Sequence, residues 1–367
     1  MRILITIDAV GGVWQYGLDL ARELAGAGAQ PVLVVLGPAP DAAQRAEACC
    51  IPGIALIETQ LPLDWLCDGP APILAAGAAI ADIAREMGTD LIQLNMPTLA
   101  AAGPFPVPTI AVTHGCVTTW WEAAKRGEDL ASEYAWHRAM TGAGLRAADR
   151  VIAPTASHAH TVARHYALDR SPTVVHNGRS ALSQQAEVPL PHDVLTVGRL
   201  WDRVKRADLL DRVAARIEAP FRAAGATTGP HGERADLRNL VLLGQLDREG
   251  LGSRLATRPI FVSAASFEPF GLAVLEAAQA GCALVLSNID TFRELWDGVA
   301  LFAARDDEAA YAHAIEILLG DPDHRLRLGE TARRRAGRYS PGAMANGMLD
   351  IYRQVLGERA QSGRVAA

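Results

Sequence analysis

The sequence predicts an α/β protein of two domains, each with a parallel β-sheet covered by helices. A chain of 367 residues, half of them hydrophobic, is long enough to form two hydrophobic cores. Residues 3–36 have the pattern strand, helix, strand, and this order requires a parallel sheet with helices packed on it. A second strand, loop and helix begin at residue 193, after a polar, proline-containing segment that is typical of a linker.

Charge and cysteine content exclude several classes of function. The net charge of −6 gives no electrostatic basis for binding nucleic acid. The five cysteines are odd in number and lack the spacing of a metal site, so we expect reduced thiols in a cytoplasmic protein. No separate targeting segment precedes the first strand, and no apolar run is long enough to span a bilayer. Peripheral contact with a membrane stays open.

The first domain begins with a strand over residues 3–7, a loop over 8–13 and a helix over 14–25. The loop contains Gly11 and Gly12 but not the G-x-G-x-x-G pattern, so a dinucleotide site is only weakly indicated. Adjacent glycines allow the backbone to approach a phosphate closely, although a tight turn would explain them equally well.

The rest of the first domain is predicted as alternating helices and strands, with residues 38–72 largely irregular. Predicted helices cover 41–50, 71–87, 130–147 and 157–165, and predicted strands cover 31–36, 91–94, 110–112, 151–153 and 173–175. His114 follows the strand 110–112, at the edge of the sheet where ligands bind, although a structural role is the alternative. Trp120 and Trp121 either stack on an acceptor or pack the next helix, and we expect packing for one of them.

The second domain is predicted from the same kinds of pattern. Predicted strands cover 193–197, 220–224, 240–243, 259–263 and 283–287. Two predicted helices begin at residues 206 and 245, and four more cover 271–280, 309–319, 323–339 and 343–356. Arg199 and Lys205 lie in the loop after the first of these strands, where two cations suit a diphosphate. A solvated basic loop is the alternative, but Lys205 is one of only two lysines in an arginine-rich chain.

Residues 266–276 carry the strongest functional indication. Glu268 lies in a strand-to-helix loop, Gly271 opens the helix, and Glu276 follows within it. The helix N-terminus favours an anion, whereas the two carboxylates favour hydroxyl groups. A sugar nucleotide satisfies both requirements, although the acids could instead cap the helix and face solvent.

A possible D-x-D metal motif at residues 321–323 is rejected. It lies between two predicted helices and away from the strand ends, where Asp323 suits a helix N-cap. We therefore expect no metal site.

The string 266–276 resembles the donor-binding motif of retaining glycosyltransferases of family four. In that motif two glutamates are separated by seven residues, and Glu268 and Glu276 have this spacing with Pro-Phe-Gly-Leu between them. Weaker matches at Gly11-Gly12, at His114, at residues 176–178 and at residues 198–205 extend the similarity over nearly the whole chain. The resemblance implies a GT-B fold, with two Rossmann-like domains facing each other across a deep cleft.

The resemblance also implies residue roles. Arg199 and Lys205 match the pair that binds the donor diphosphate, and Gly12 matches a glycine that approaches it from the other domain. Glu268 matches the acid beside the transferred sugar, Glu276 the acceptor of the ribose hydroxyls, and His114 a histidine near the reaction centre. The implied catalytic residues are His114, Arg199, Lys205 and Glu268, and the implied donor-binding residues are Gly11, Gly12, Arg199, Lys205, Gln245, Leu246, Glu268, Phe270, Gly271, Leu272 and Glu276.

The resemblance leaves the substrate open. Residues 227–230 replace the usual glycine-rich loop of the family, and the acceptor side has no pattern beyond Trp120 and Trp121. Residues 1–185 would form an acceptor-side domain and residues 186–342 a nucleotide-sugar-binding domain. A helix over 343–357, whose return to the first domain stays open, and a tail over 358–367 would follow.

The implied reaction is the transfer of a sugar from a nucleoside diphosphate sugar to a hydroxyl group, with retention and without a metal or other cofactor. The acceptor would be a sugar, a small molecule or a lipid-linked group. An epimerase of the same fold and a non-catalytic sugar-nucleotide-binding protein are the main alternatives. A dinucleotide-dependent oxidoreductase is disfavoured by the missing glycine pattern.

Overall fold

The computed structural model describes residues 1–182 and 188–365. The chain divides into two compact units, the first made of Met1–Gly178 with Pro341–Ala367 and the second of Arg179–Ser340. The division therefore falls after residues 178 and 340, whereas the sequence suggested residues 185 and 342. Within the described residues, no helix is both long and apolar enough to cross a bilayer.

Seven strands form the sheet of residues 1–178, and every pair is parallel. They are β1 (Arg2–Asp8), β2 (Gln30–Leu36), β3 (Ala55–Glu58), β4 (Leu91–Leu94), β5 (Thr109–Val112), β6 (Arg150–Ala153) and β7 (Thr173–Val174). Their order across the sheet is β3-β2-β1-β4-β5-β6-β7. The β3 strand was not predicted, because its four residues lie in a segment of irregular composition.

The helices of residues 1–178 cover both faces of this sheet. They are α1 (Gly12–Gly26), α2 (Ala42–Cys49), α3 (Ala71–Glu86), α4 (Val117–Ala124), α5 (Ala135–Ala147) and α6 (Ala156–Tyr166). The sequence missed α4, and it predicted one helix over 130–147 where a 3₁₀ turn at Ser132–Tyr134 precedes α5.

The second unit repeats the parallel-sheet arrangement. Its strands are β8 (Val194–Val197), β9 (Phe221–Ala224), β10 (Val241–Gly244), β11 (Ile260–Ser263), β12 (Leu284–Ser287) and β13 (Leu301–Ala303). Its helices are α7 (Ala207–Ala214), α8 (Arg248–Ala256), α9 (Leu272–Gln279), α10 (Asp290–Trp296), α11 (Glu308–Gly320) and α12 (Pro322–Ala336). Across residues 188–340 the strand order is β10-β9-β8-β11-β12-β13, again all parallel. The short elements β13 and α10 were not predicted.

The last helix, α13 (Pro341–Val365), belongs to the first unit. Its side chains Met344, Met348 and Tyr352 are buried in the same hydrophobic cluster as Trp14 and Leu18 of α1. The helix continues well past residue 356, where the sequence predicted its end. The preceding helix α12 is capped by Asp321, which accepts a hydrogen bond from His324 N at 2.8 Å. The prediction of Asp323 as the N-cap was therefore wrong.

Both sheets reverse their strand order beside the first strand of the unit. The reversal lies between β1 and β4 in one sheet and between β8 and β11 in the other. In open α/β sheets, ligands bind outside the carboxyl ends of the strands at this point, because the loops diverge there. The loops that follow β1, β4, β8 and β11 are therefore the expected functional positions.

A close helix contact fixes the segment that follows β4. Gly144 of α5 lies so near the 3₁₀ helix Pro97–Ala102 that a Cβ atom at residue 144 would be 1.9 Å from Pro97 O. Gly357, in the exposed part of α13, has no atom within 4 Å of the equivalent position. The two helical glycines therefore differ sharply in the space around their Cβ positions.

We expect Gly144→Ala to lower the free energy of unfolding of the first unit by about 1–3 kcal/mol, because the added methyl group overlaps backbone atoms. Gly357→Ala should instead raise it by up to about 1 kcal/mol, since alanine favours helix more than glycine does. Chemical denaturation of the two variants measures both changes. Equal effects of the two substitutions would contradict the close contact.

Candidate functional site

The loop after β8 carries the two predicted cations, Arg199 and Lys205, at the edge of the second sheet. It runs from Gly198 through a 3₁₀ turn at Arg203–Lys205 into α7. The buried Asp202 caps this turn, because its Oδ1 accepts a hydrogen bond from Val204 N at 3.2 Å. Arg206, between the turn and α7, has a φ of 55°, in the left-handed region. The loop is therefore held by its own contacts, with Lys205 at its end.

The loop after β11 leads into α9 through Gly271. Gly271 is the N-cap of α9 with a φ of 92°, a backbone conformation that favours glycine. A Cβ atom there would be 3.2 Å from both Glu268 Cγ and Phe292 Cε1. No side chain of the described residues caps α9. Its first backbone N–H groups are therefore available to a ligand at this edge of the second sheet.

Two contacts bring these loops together. Lys205 Nζ lies 2.5 Å from Glu268 Oε2, and both side chains are mostly buried, with 22% and 18% of their surface exposed. Ser266 N donates a hydrogen bond to Val204 O at 2.7 Å. The predicted lysine, the predicted acid and the helix start at Gly271 therefore form one continuous group at the β8/β11 reversal point.

Arg199 belongs to the same loop but is held differently. Its Nη2 lies 2.8 Å from Asp202 Oδ2, and its guanidinium carbon lies 5.6 Å from the centre of the Trp201 ring. Trp201 also supports the loop that replaces the glycine-rich segment, because a Cβ atom on Gly229 would lie 2.7 Å from its ring. Leu200 N and Trp201 N donate to Ala226 O at 2.9 and 3.3 Å. The role of Trp201 was not predicted.

Glu276 has a partner that sequence reasoning missed. Arg179 Nε donates to Glu276 Oε1 at 2.6 Å, and their side chains are only 5% and 9% exposed. The main chain of Arg179 is also bound, since its N–H donates to Tyr339 O and its carbonyl oxygen accepts from Gln279 Nε2 at 2.6 Å. Arg179 directly follows residues 176–178, one of the weaker family matches, and this position was the sequence feature that could have pointed to it.

The other predicted donor-binding residues of the second unit are less central. Gln245 is exposed and Leu246 half-buried in the loop after β10, which is separated from β8 by β9. The Phe270 side chain is buried, with its ring 5.6 Å from that of Tyr339, so only its backbone can contact a ligand. Leu272 is half-buried and is the first residue of α9.

In the first unit, Gly11 and Gly12 lie where β1 turns into α1. Gly11 is the N-cap of α1, Gly12 is its first residue, and no side chain in the described chain caps the helix. Asp8 Oδ1 accepts hydrogen bonds from Val10 N at 3.0 Å and from Gly11 N at 3.2 Å, which shape the turn. Gly11 has extended backbone and open space around its Cβ position, so glycine is not required there by conformation. Access for a ligand remains a reason for glycine at this position.

His114 follows β5 and lies against the residues after β4. Its Nε2 is 3.1 Å from Asn95 Oδ1, and its ring meets the edge of the Tyr16 ring at 4.5 Å. Burial, together with the neighbouring His158, lowers the pKa of His114 to about 3. The imidazole is therefore neutral at physiological pH.

The two predicted acceptor tryptophans differ in exposure. Trp121 is buried, and its Nε1 donates a hydrogen bond to Glu128 O at 3.2 Å. Lys125 Nζ lies 3.9 Å from the centre of the Trp121 ring. Trp120 is half-buried in the same helix, α4. Packing is thus the role of Trp121, and Trp120 is the better placed of the two for an acceptor.

Comparisons with known proteins match both units. Residues 10–180 match the sequence profile of Glycosyltransferase Family 4, and residues 191–321 match that of Glycosyl transferases group 1. The D-inositol 3-phosphate glycosyltransferase of Kineococcus radiotolerans is 26% identical over 259 residues, which cover 59% of this chain and 59% of that protein. The 2-deoxystreptamine N-acetyl-D-glucosaminyltransferase of Streptomyces fradiae is 26% identical over 401 residues, and the match covers 97% of this chain and 94% of that protein. The match thus spans nearly all of the second relative but less than two thirds of the first.

Solved structures show the same fold. Sucrose-phosphate synthase from Thermosynechococcus elongatus has a TM-score of 0.79 at 20% identity, covering 98% of this chain and 100% of that chain. The Anabaena protein HepE, solved in complex with UDP and glucose, has a TM-score of 0.74 at 16% identity, covering 96% and 100%. These similarities confirm the predicted GT-B class of two Rossmann-like parallel-sheet domains. None of these comparisons supports the epimerase alternative.

The Arg179–Glu276 pair provides a stability test within the second unit. We expect Arg179→Met to lower the free energy of unfolding by about 3–5 kcal/mol, because it leaves a buried carboxylate without its cation. Adding Glu276→Gln should restore part of this loss. Arg238→Met is the matched control, since Arg238 and Asp236 form a pair that is 80% exposed on both sides. Exposed pairs contribute about 0–1 kcal/mol. Equal losses for Arg179→Met and Arg238→Met in chemical denaturation would contradict this assignment.

Proposed function

The chain is a glycosyltransferase of family 4, and from this premise we propose that it transfers a sugar from a nucleoside diphosphate sugar to an acceptor hydroxyl with retention. The observation that carries the proposal is the contact of Lys205 Nζ with Glu268 Oε2 beside the Gly271 start of α9. A cation, a carboxylate and a helix N-terminus within one group suit a ligand that joins a diphosphate to a polyol.

In the proposed donor site, different groups bind different parts of the donor. Arg199, Lys205 and the first N–H groups of α9 bind the diphosphate, because all of them carry positive charge or partial positive charge. Glu268 accepts hydrogen bonds from the transferred sugar, and Glu276, oriented by Arg179, accepts them from the ribose. Gln245 and Leu246 contact the base. The internal pairs of Arg199 and Lys205 keep both cations positioned before the donor binds.

The proposed chemistry is attack on the same face of the sugar that the diphosphate leaves. The acceptor oxygen forms a bond to the anomeric carbon, the bond from that carbon to the phosphate oxygen breaks, and the acceptor proton moves to the leaving phosphate. Negative charge develops on the diphosphate in this step, and Arg199, Lys205 and the α9 N-terminus stabilise it. Because these groups supply the positive charge, the proposed reaction uses no metal ion.

The names of the similar proteins suggest which substrates to test first. The Anabaena neighbour was solved with UDP, so UDP-sugars are the first donors. The two relatives are named for inositol 3-phosphate and 2-deoxystreptamine, so these compounds are the first acceptors to test.

Removal of the Lys205 charge should abolish most of the activity. We expect Lys205→Ala to reduce kcat by about 10²–10³-fold, the loss typical of one group that stabilises transition-state charge. Arg203→Ala is the matched control, because this exposed cation lies two residues earlier in the same 3₁₀ turn. Release of nucleoside diphosphate measures turnover, and circular dichroism checks folding. Near-normal turnover in folded Lys205→Ala would refute the assignment of the diphosphate site.

A melting-temperature screen tests the donor class. We expect one of the UDP-, GDP-, ADP- and TDP-sugars to raise Tm, since a ligand at 100 times its Kd adds about 2.7 kcal/mol to the stability of the folded state. The stabilising donor is then incubated with acceptors in the presence and absence of EDTA, and NMR of the product gives the anomeric configuration. Inverted product, or activity lost with EDTA and restored by metal, would contradict the proposed mechanism.

A further inference from the structure

A chain of buried hydrogen bonds runs through the first unit to His114. The Tyr352 hydroxyl of α13 donates to Gln93 Oε1, and Gln93 Nε2 donates to Asn95 Oδ1 at 3.0 Å. His114 Nε2 lies 3.1 Å from the same Asn95 oxygen. Gln93 and Tyr352 are fully buried, and Asn95 is only 9% exposed. The chain therefore connects the last helix of the protein with the predicted reaction-centre histidine.

The direction of every bond in this chain is set by a backbone oxygen. Asn95 Nδ2 donates to Thr6 O at 2.7 Å, and Asn95 N donates to Thr6 Oγ1 at 2.9 Å. A carbonyl oxygen only accepts, so the Asn95 amide group has its nitrogen towards Thr6 and its Oδ1 towards Gln93 and His114. The opposite orientation would place two oxygens together at Thr6 and two amino groups together at Gln93. Because Asn95 Oδ1 is the acceptor, His114 Nε2 carries the proton.

The remaining ring nitrogen of His114 is left as an acceptor. Burial holds the ring neutral, as described above, so protonation of Nε2 leaves a lone pair on Nδ1. Among residues 1–182 and 188–365, Nδ1 has no hydrogen-bond partner. The titratable groups around the ring are Tyr16 of α1 and His158 of α6, and burial lowers the pKa of His158 to about 4. Both neighbours are therefore neutral at physiological pH.

We propose that Asn95, Gln93 and Tyr352 are positioning residues that hold His114 as the Nε2–H tautomer, so that Nδ1 accepts a hydrogen bond from a substrate hydroxyl group. This inference rests on the proposed function, because it takes His114 to contact a substrate of that reaction. A lone pair attracts a hydroxyl proton but repels a phosphate or carboxylate oxygen. The contact therefore selects a hydroxyl-bearing substrate at this position. His114 Nδ1 accepts a hydrogen bond from the substrate and has no proton to donate to it.

The tautomer can be measured directly by NMR of protein labelled with ¹⁵N in its histidines. We expect the His114 resonances, identified by their loss in His114→Ala, to show Nε2 protonated and Nδ1 unprotonated, with no titration between pH 8 and pH 5. A protonated Nδ1, or titration near pH 6.5, would overturn the proposal. The test needs only the wild-type spectrum and the His114→Ala assignment variant, so it does not depend on whether variants of Asn95, Gln93 or Tyr352 fold.

Variants of the network then test the link to activity. Asn95→Asp places a negative charge on the Nε2 side and should raise the pKa of His114 by about 1–3 units. Its kcat should fall as the pH drops through the raised pKa, because the imidazolium ion has no lone pair to offer. Donor KM should change less than twofold, since the diphosphate is bound by Arg199 and Lys205. A parallel fall in donor affinity without a change in the pH profile would indicate a merely structural role.

Tyr352→Phe removes the hydroxyl group at the end of the hydrogen-bond network farthest from His114. It should reduce kcat by a smaller factor, about 2–10-fold, with unchanged donor KM. Tyr311→Phe, which removes one buried hydroxyl in the second unit, is the matched control and should leave kcat unchanged. The substrate contact of His114 and the proposed function can be refuted separately. If His114 has the expected tautomer but His114→Ala transfers sugar at the normal rate, the substrate contact is refuted. If no nucleoside diphosphate sugar is turned over at all, the proposed function fails, while the NMR result on the tautomer stands.

Discussion

The hydrogen bond from Ser266 N to Val204 O determines the geometry of the proposed donor site. It joins the loop after β8 to the loop after β11 at the point where the strand order of the second sheet reverses. Once these loops are joined, Lys205 comes within 2.5 Å of Glu268, and Glu268 packs against the glycine that opens α9. A parallel sheet brings such loops to one edge, and this single backbone contact fixes their spacing.

The first unit solves a similar problem with side chains instead of backbone. There the residues after β4 and β5 meet through Asn95 and His114, and Thr6 of β1 fixes the orientation of the asparagine. Buried polar groups of this kind are costly unless they are hydrogen-bonded, and the bonds of Asn95 specify one arrangement of its amide group. The two units therefore have the same strand order at their reversal points but different means of holding the functional groups.

Much of the fold and part of the site could be predicted from the sequence. The long apolar strands and the Glu268–Glu276 motif are local patterns, and the structure contains them within a few residues of the predicted bounds. Short elements such as β3, β13 and α10 were missed, because three to seven residues carry too little periodicity. Arg179 and Asn95 were missed for a different reason. Their importance lies in partners 97 and 19 residues away, and no local pattern reports such a contact.

The position of Tyr352 has a consequence for how the protein is made. This residue is 259 positions from Gln93, and its helix completes the hydrophobic core of a unit whose other elements end at residue 178. During synthesis the first 178 residues leave the ribosome with the Gln93 carboxamide oxygen and the surface of α1 still lacking the groups that will cover them. The histidine reaches its final setting only after Tyr352 has been synthesised, so a chain terminated between the motif of the second unit and Tyr352 keeps that motif but is left with an unfinished first unit.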